Sequence, residues 1–171
     1  TAPIYDMDTR QCLPDGAGVL HDWWRAKDIK LPPPKHRPDS VNMEGQQTVR
    51  HLRHCSGRGC LVPNKVFDKV GFYDQTYLPH YAADDDFTFR AAHLGVPVIM
   101  TMNTCCYTPA RETGLTGFVG KRSVKGFYGY LTNQKSPANL YRRFWITYRH
   151  CRPRWYMPIS LLLDFGRVIV S

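Results

Sequence analysis

Three consecutive carboxylates, Asp84-Asp85-Asp86, stand at the head of a segment in which Phe87, Ala91 and Leu94 recur at helical spacing and Gly95 closes the run. Asp84 and Asp86, preceded by Pro79-His80-Tyr81, offer a general base, a metal site or a helix-capping group. Acidic residues in a first turn also complement the helix dipole, so the capping role needs no chemistry at all. Upstream, Ser56-Gly57-Arg58-Gly59 follows a strand-like run. Backbone donors and a guanidinium can face an anion there, or the segment is an ordinary tight turn. His51, His54, Cys55 and Cys60 are zinc-ligand types, but no second Cys/His pair lies at a standard interval. Residues 51, 54 and 55 cannot share one strand face, so zinc is rejected.

These residues need elements to position them. Ala2 to Tyr5 reads as a short strand entering a polar turn at Asp6 to Arg10, and Val19 to Trp24 as a second strand. Lys30 to Asp39, with Pro32-Pro33-Pro34 and Pro38, is an extended loop. Thr48 to Cys55 is a strand, and Pro63 opens a short helix through Val66, Phe67 and Val70 that Gly71 ends. The acidic helix follows, then Val96 to Met102 as a buried strand. Gly114, Gly117 and Gly120 mark a loop. Ser136-Pro137 predicts a helix start, a hydroxyl cap with proline at the first helical position, and that helix runs to about Cys151 before Pro153. Met157 to Val170 is a last, more apolar helix. A sheet that begins this abruptly predicts an exposed edge at its first strand.

With 171 residues, 43% hydrophobic and 22% charged, the chain has the composition of one globular domain with room for a tail. Its net charge of +9 calls for an acidic partner, and Arg142, Arg143, Arg149, Arg152 and Arg154 concentrate that charge near the C-terminus among aromatic residues. The six cysteines are expected as reduced thiols, since no secretory leader is visible. Thr1 in place of Met marks a processed product or a piece of a longer chain. No run of ~18 apolar residues predicts a membrane-spanning helix.

In order and spacing, Gly57-Arg58-Gly59-Cys60-Leu61-Val62-Pro63, Val66 to Asp74, Leu78-Pro79-His80-Tyr81 and Ala83 to Phe87 with Arg90 and Gly95 form one continuous pattern. It resembles the C-terminal, acceptor-side half of the family 2 GT-A glycosyltransferases, of the rhamnosyltransferase kind, over roughly Thr1 to Gly117. The resemblance implies an α/β fold: a partial GT-A, Rossmann-like mixed sheet over residues 1–130, followed by a basic, aromatic tail of amphipathic helices over 131–171. It implies that Asp84 is the base that deprotonates an acceptor hydroxyl as the hydroxyl attacks the sugar of a nucleotide-sugar, with inversion. Asp86 and Arg90 support the helix start and substrate binding, Arg58 and Gly59 lie beside donor sugar and acceptor, and His80 and Tyr81 line the acceptor side.

The chain departs from the family pattern at three points. Ala83 stands where the family has Glu, and Cys105-Cys106-Tyr107 replaces a region that often holds a metal-ligating His. The nucleotide-binding half, which carries the Asp-x-Asp site for a divalent Mg or Mn, precedes the part that matches. Asp6-Met7-Asp8 has that form but follows the first strand, so it reads as a turn. The expected activity therefore requires a partner chain or precursor half, and the isolated chain is expected to be inactive. The competing reading is a non-catalytic structural subunit of a larger assembly derived from a glycosyltransferase. A nucleic-acid role ranks last, and an anionic membrane surface is the expected partner of the tail. The expected location is the cytoplasm or the cytoplasmic face of a membrane, with an organelle interior left open.

Overall fold

The computed structural model describes residues 1–13, 15–34, 49–109, 124–134, 136 and 138–170. Residues 35–39 of the proline-rich loop, the Gly114–Gly120 loop and Pro137 lie outside the described residues. The chain is mixed α/β, built from six short strands and five helices among the described residues. The strands form three two-stranded sheets. Strand β1 (Ile4–Asp6) pairs in parallel with β6 (Cys106–Thr108). Strands β2 (Val19–Asp22) and β3 (Lys27–Lys30) form a hairpin, and β4 (Val49–Leu52) runs antiparallel to β5 (Val98–Thr101). A backbone bond from Thr101 N to Thr1 O, 2.9 Å, links the β4–β5 ladder to the stretch that becomes β1.

The exposed first edge expected from the sequence is absent. One side of β1 bonds β6, and the other is taken by Gln11, Leu13 and Gly16. Ile4 N donates to Gly16 O, Leu13 N to Ile4 O and Asp6 N to Gln11 O, each within 2.8–2.9 Å. All three β1 residues are buried. Asp6 spends its carboxylate on the intervening turn, accepting from Thr9 Oγ1 at 2.7 Å, as a polar turn requires.

Two other expectations are corrected. The strand expected over Val19 to Trp24 is one arm of a hairpin whose turn holds Ala26 at φ 44°. The strand expected buried over Val96 to Met102 shortens to β5, in which Met100 is buried but Ile99 is exposed, because β5 is covered on one face only.

Helix α1 (Asn64–Val70) starts after Pro63 and ends at Gly71, whose φ of 80° lets its N–H reach back to Phe67 O. Helix α2 (Ala83–His93) follows. Phe87, Val70 and Ala91 pack together with Val62, Val66, Phe67, Val96 and Val98 around them. Burying Phe87 alone stabilises the fold by about 2 kcal/mol. A second cluster of Leu52, Cys55, Met100 and Met102 lies under β4–β5. Helix α3 (Val124–Thr132) leads to α4 (Leu140–His150), and a 3-10 turn at Arg154–Tyr156 leads to α5 (Met157–Val170).

The start of α4 is not the Ser136-Pro137 pair. Asn139 caps it, its side chain accepting from Arg142 N at 2.9 Å, and its Nδ2 donates to Thr132 O and Asn133 O at the end of α3. Asn is as strong a cap as Ser, and its NH2 adds two donors on an atom separate from the capping oxygen, enough for both carbonyls at once. Ser136 is fully buried and its Oγ accepts from Ala138 N, so it shapes the turn before the cap.

The segment read from sequence as a tail is packed into the fold. Arg143 of α4 pairs with Asp164 of α5 at 2.5 Å. Tyr156 Oη and Arg167 Nη1 donate to Trp24 O and Ala26 O of the hairpin. No described helix is long and apolar enough to cross a membrane.

Candidate functional site

Helix α2 begins under backbone strain. Ala82, its N-cap, sits at φ 65°, ψ 8°, and makes no side-chain hydrogen bond. A residue with a Cβ in this left-handed region costs roughly 1–2 kcal/mol. The acidic triplet is therefore not the cap, and its three side chains go to three different environments.

Asp84 turns toward the Ser56–Gly59 turn. Gly57 N donates to Asp84 Oδ2 at 2.5 Å, and Asp85 N donates to Oδ1 at 3.1 Å. A Cβ on Gly57 would stand 3.3 Å from both Asp84 Cβ and Oδ2, so glycine permits this approach. Thr88 fixes the register between the two segments. It is buried, accepts from Cys55 N at 3.1 Å and donates to Asp84 O at 2.8 Å. Arg58 Nη2 reaches Asp15 Oδ2 at 2.8 Å. Gly59 lies at φ +61°, and a Cβ there would fall 2.5 Å from Cys106 Sγ, so the turn is pressed against β6.

Asp85 is half-buried beside it. Burial, then the charges of Asp84 and Asp28, push its carboxyl up to about 7, against the pull of Arg142. Near neutral pH the Asp85 carboxyl is therefore partly protonated.

Asp86 faces away from both and is fully buried. It accepts from Arg90 Nε at 2.8 Å, Arg149 Nη1 at 3.2 Å and His150 Nε2 at 2.9 Å. Burial opposes its ionisation, but the hydrogen bonds from His150 and Arg90 hold it down at about 2. Arg90 also donates to Val70 O and Phe72 O, at 2.5 and 2.9 Å, fastening α2 to the end of α1.

The expected site residues thus divide into two groups. Asp84, Arg58 and Gly59 belong to one neighbourhood, with Tyr81 at the helix entry. The Arg142 guanidinium lies 5.4 Å from the Tyr81 ring, and exposed His80 stands 4.8 Å from that ring. Asp86 and Arg90 form a separate ionic cluster that joins α2 to α1 and α4.

Sequence reasoning overlooked Asp85, Asp15 and Arg142 as members of the site. Asp85 could have been found from adjacency, because neighbouring carboxylates repel. Asp15 is 43 residues from Arg58 and leaves no local signal.

A cleft of about 540 Å³ opens at the other end of α2, lined by Trp23, His51, Arg53, His93 and Arg152 among others. None of the expected site residues lines it.

The divalent metal implied by the family resemblance is expected to take its ligands from the nucleotide-binding half rather than from this part. Among the described residues no three His, Cys, Asp or Glu side chains converge. No step is assigned to a metal here.

No family model, curated protein or solved structure matches the chain.

Proposed function

We propose that the chain is the acceptor-side portion of a family 2 glycosyltransferase of the GT-A kind. Completed by a nucleotide-binding half, it moves a sugar from a nucleotide-sugar to an acceptor hydroxyl with inversion. The observation that carries this reading is the 2.5 Å bond from Gly57 N to Asp84 Oδ2, which brings the Gly-Arg-Gly turn and the acidic helix start of the family pattern to one point.

In this reading Asp84 removes the acceptor proton as the hydroxyl oxygen attacks. Two backbone donors fix its carboxylate orientation, and the remaining lone pairs are left to accept a hydroxyl. Tyr81 and His80 border the acceptor, and Arg58, held by Asp15, stands beside the turn. Asp86 and Arg90 serve by holding α2 in place rather than by touching substrate.

The test is release of nucleoside diphosphate from a panel of nucleotide-sugars by the chain extended upstream of Thr1, wild type against Asp84→Asn. The amide keeps the shape and cannot take the proton, so the rate is expected to fall ~10²–10⁴-fold with the fold and donor binding retained. A rate near wild type in Asp84→Asn removes the assignment.

A further inference from the structure

Cys55 and Cys60 bracket the same turn that Gly57 and Arg58 form, and nothing in the proposed transfer reaction uses them. Their Sγ atoms are 4.0 Å apart. All six cysteines of the chain are free thiols. Cys55 is buried in the cluster with Leu52, Met100 and Met102, while Cys60 is only half-buried and packs at the cluster's edge. The backbone on both sides is fixed. Cys55 N is bonded to Thr88, Gly57 N to Asp84, and Arg58 to Asp15.

A disulfide needs its sulfurs about 2.05 Å apart. Closing the gap asks for about 2 Å of sulfur movement, within reach of side-chain rotation and a small shift of the turn.

We propose that Cys60 and Cys55 are a peroxide-reactive dithiol, with Cys60 the attacking sulfur and Cys55 the resolving one, closing to an intrachain disulfide across the Ser56–Gly59 turn. The environment supports that division of labour. The hydrogen bond from Cys55 lowers the Cys60 thiol to about 6, and the same bond, together with burial, pushes Cys55 up. The accessible sulfur is thus largely thiolate at neutral pH, and the buried one is held as thiol.

The Cys60 thiolate attacks one oxygen of hydrogen peroxide and the O–O bond breaks. Cys60 becomes a sulfenic acid, and the departing hydroxide takes a proton to become water. The Cys55 sulfur then attacks the Cys60 sulfur, and the S–O bond breaks. The hydroxyl leaves as water with the Cys55 proton. Two thiols are oxidised to one disulfide, and one peroxide is reduced to two waters. Closure draws Cys60 inward and reshapes the turn whose Gly57 N–H holds Asp84. The dithiol chemistry itself does not depend on Asp84 being a base.

Trypsin makes the experiment direct, because Arg58 separates the two cysteines. The folded chain is treated with an equivalent of hydrogen peroxide, blocked with iodoacetamide and digested without reduction. The expected product is a disulfide joining the peptide His54–Arg58 to the peptide Gly59–Lys65. Cys55→Ser is expected to stop at a dimedone-reactive sulfenic acid on Cys60, and Cys60→Ser to leave Cys55 unoxidised. On the untreated wild type, iodoacetamide labelling of Cys60 should show a pH midpoint near 6. Three results overturn the proposal: Cys60 alkylated as fully after peroxide as before, Cys60 joined to Cys106 instead, or a labelling midpoint in the ordinary thiol range of about 8.5. The wild-type mapping decides the matter even if a serine variant fails to fold.

Discussion

The imidazole of His150 meets the carboxylate of Asp86 at 2.9 Å across 64 residues of sequence, and both are almost entirely buried. Burial lowers the His150 pKa despite the carboxylate beside it, so the neutral ring donates through Nε2. Arg149 reaches the same oxygen and also pairs with Asp74 at 2.6 Å. One carboxylate thereby holds the acidic helix, the end of α1 and helix α4 in one cluster.

Asp86→Ala is expected to destabilise the chain by about 3–5 kcal/mol, because Arg149 and His150 would be left facing a buried site without their acceptor. The measurement is the urea midpoint at pH 7. Asp86 is held at about 2, below its unfolded value near 4, so its stabilising contribution is complete above pH 4 and is lost as pH falls toward 2. A midpoint unchanged by Asp86→Ala removes the cluster from any role in stability.

Stability between pH 7 and pH 4 is expected to reflect two groups of opposite sign. His54 is lowered to about 4 by burial, its Nδ1 has no partner among the described residues, and its ring lies edge-on to Phe89 at 4.5 Å. Its folded value lies below its unfolded value near 6.5, so its contribution is complete above that value and is lost as pH falls to 4, by roughly 3 kcal/mol. Asp85 is raised to about 7, so its contribution is present below pH 4 and lost as pH rises through 7. The difference between wild type and His54→Leu should therefore shift toward the variant on acidification, while Asp85→Asn should gain on wild type toward pH 8. Thermal melts across this range check both. Difference curves flat with pH would mean that neither group titrates with folding.

Asn139→Ala is expected to cost about 1–2 kcal/mol, the loss of a helix cap together with two bonds to the end of α3. Chemical denaturation reads it, with helix content followed by circular dichroism. A loss below a few tenths of a kcal/mol would place the functional cap elsewhere.

The C-terminal region is expected to bind anionic vesicles weakly, through exposed side chains rather than through the arginine cluster as a whole. Trp155 and Leu162 are 68% and 72% exposed. Phe144 and Tyr148 of α4 are exposed, while Thr147 and His150 face in. Arg143 and Arg149 are already paired with Asp164, Asp74 and Asp86, so fewer charges are free for a surface than the count of five implies. Co-sedimentation at low salt should fall when Trp155→Glu and Leu162→Glu are combined. Ending the chain at Lys135 would strip Asp86 of Arg149 and His150, so point variants are the cleaner test. Equal binding by the double variant would dismiss the membrane role.

Local rules carried the reading of the sequence well where the signal was local. Pro63 and Gly71 bound α1, the helical spacing of Phe87 and Ala91 located α2, and α5 spans Met157–Val170 as expected. They failed where the decisive partner is remote. Asp86 carries no mark of burial in its own triplet, since its buried partner His150 is 64 residues away. The hairpin arm β3, Lys27–Lys30, is exposed throughout and has no hydrophobic alternation to read. Ser136 and Asn139 are equally good caps by residue type, and only the carbonyls of α3 choose between them. Of the site, the Gly57–Asp84 meeting could be expected only through the family resemblance, because 27 residues separate the two.

The parallel pairing of Ile4 with Cys106 also has a kinetic consequence. Strand β1 is made about a hundred residues before its partner. At a synthesis rate of about 5–20 residues per second, β1 waits roughly 5–20 s on the ribosome for β6. Closing so long a loop is entropically slow, and contacts of this span lower folding rates generally. Gln11, Leu13 and Gly16, which occupy the other side of β1, are available within a few residues. They give the waiting strand an early partner, shielding it from neighbouring nascent chains until β6 arrives.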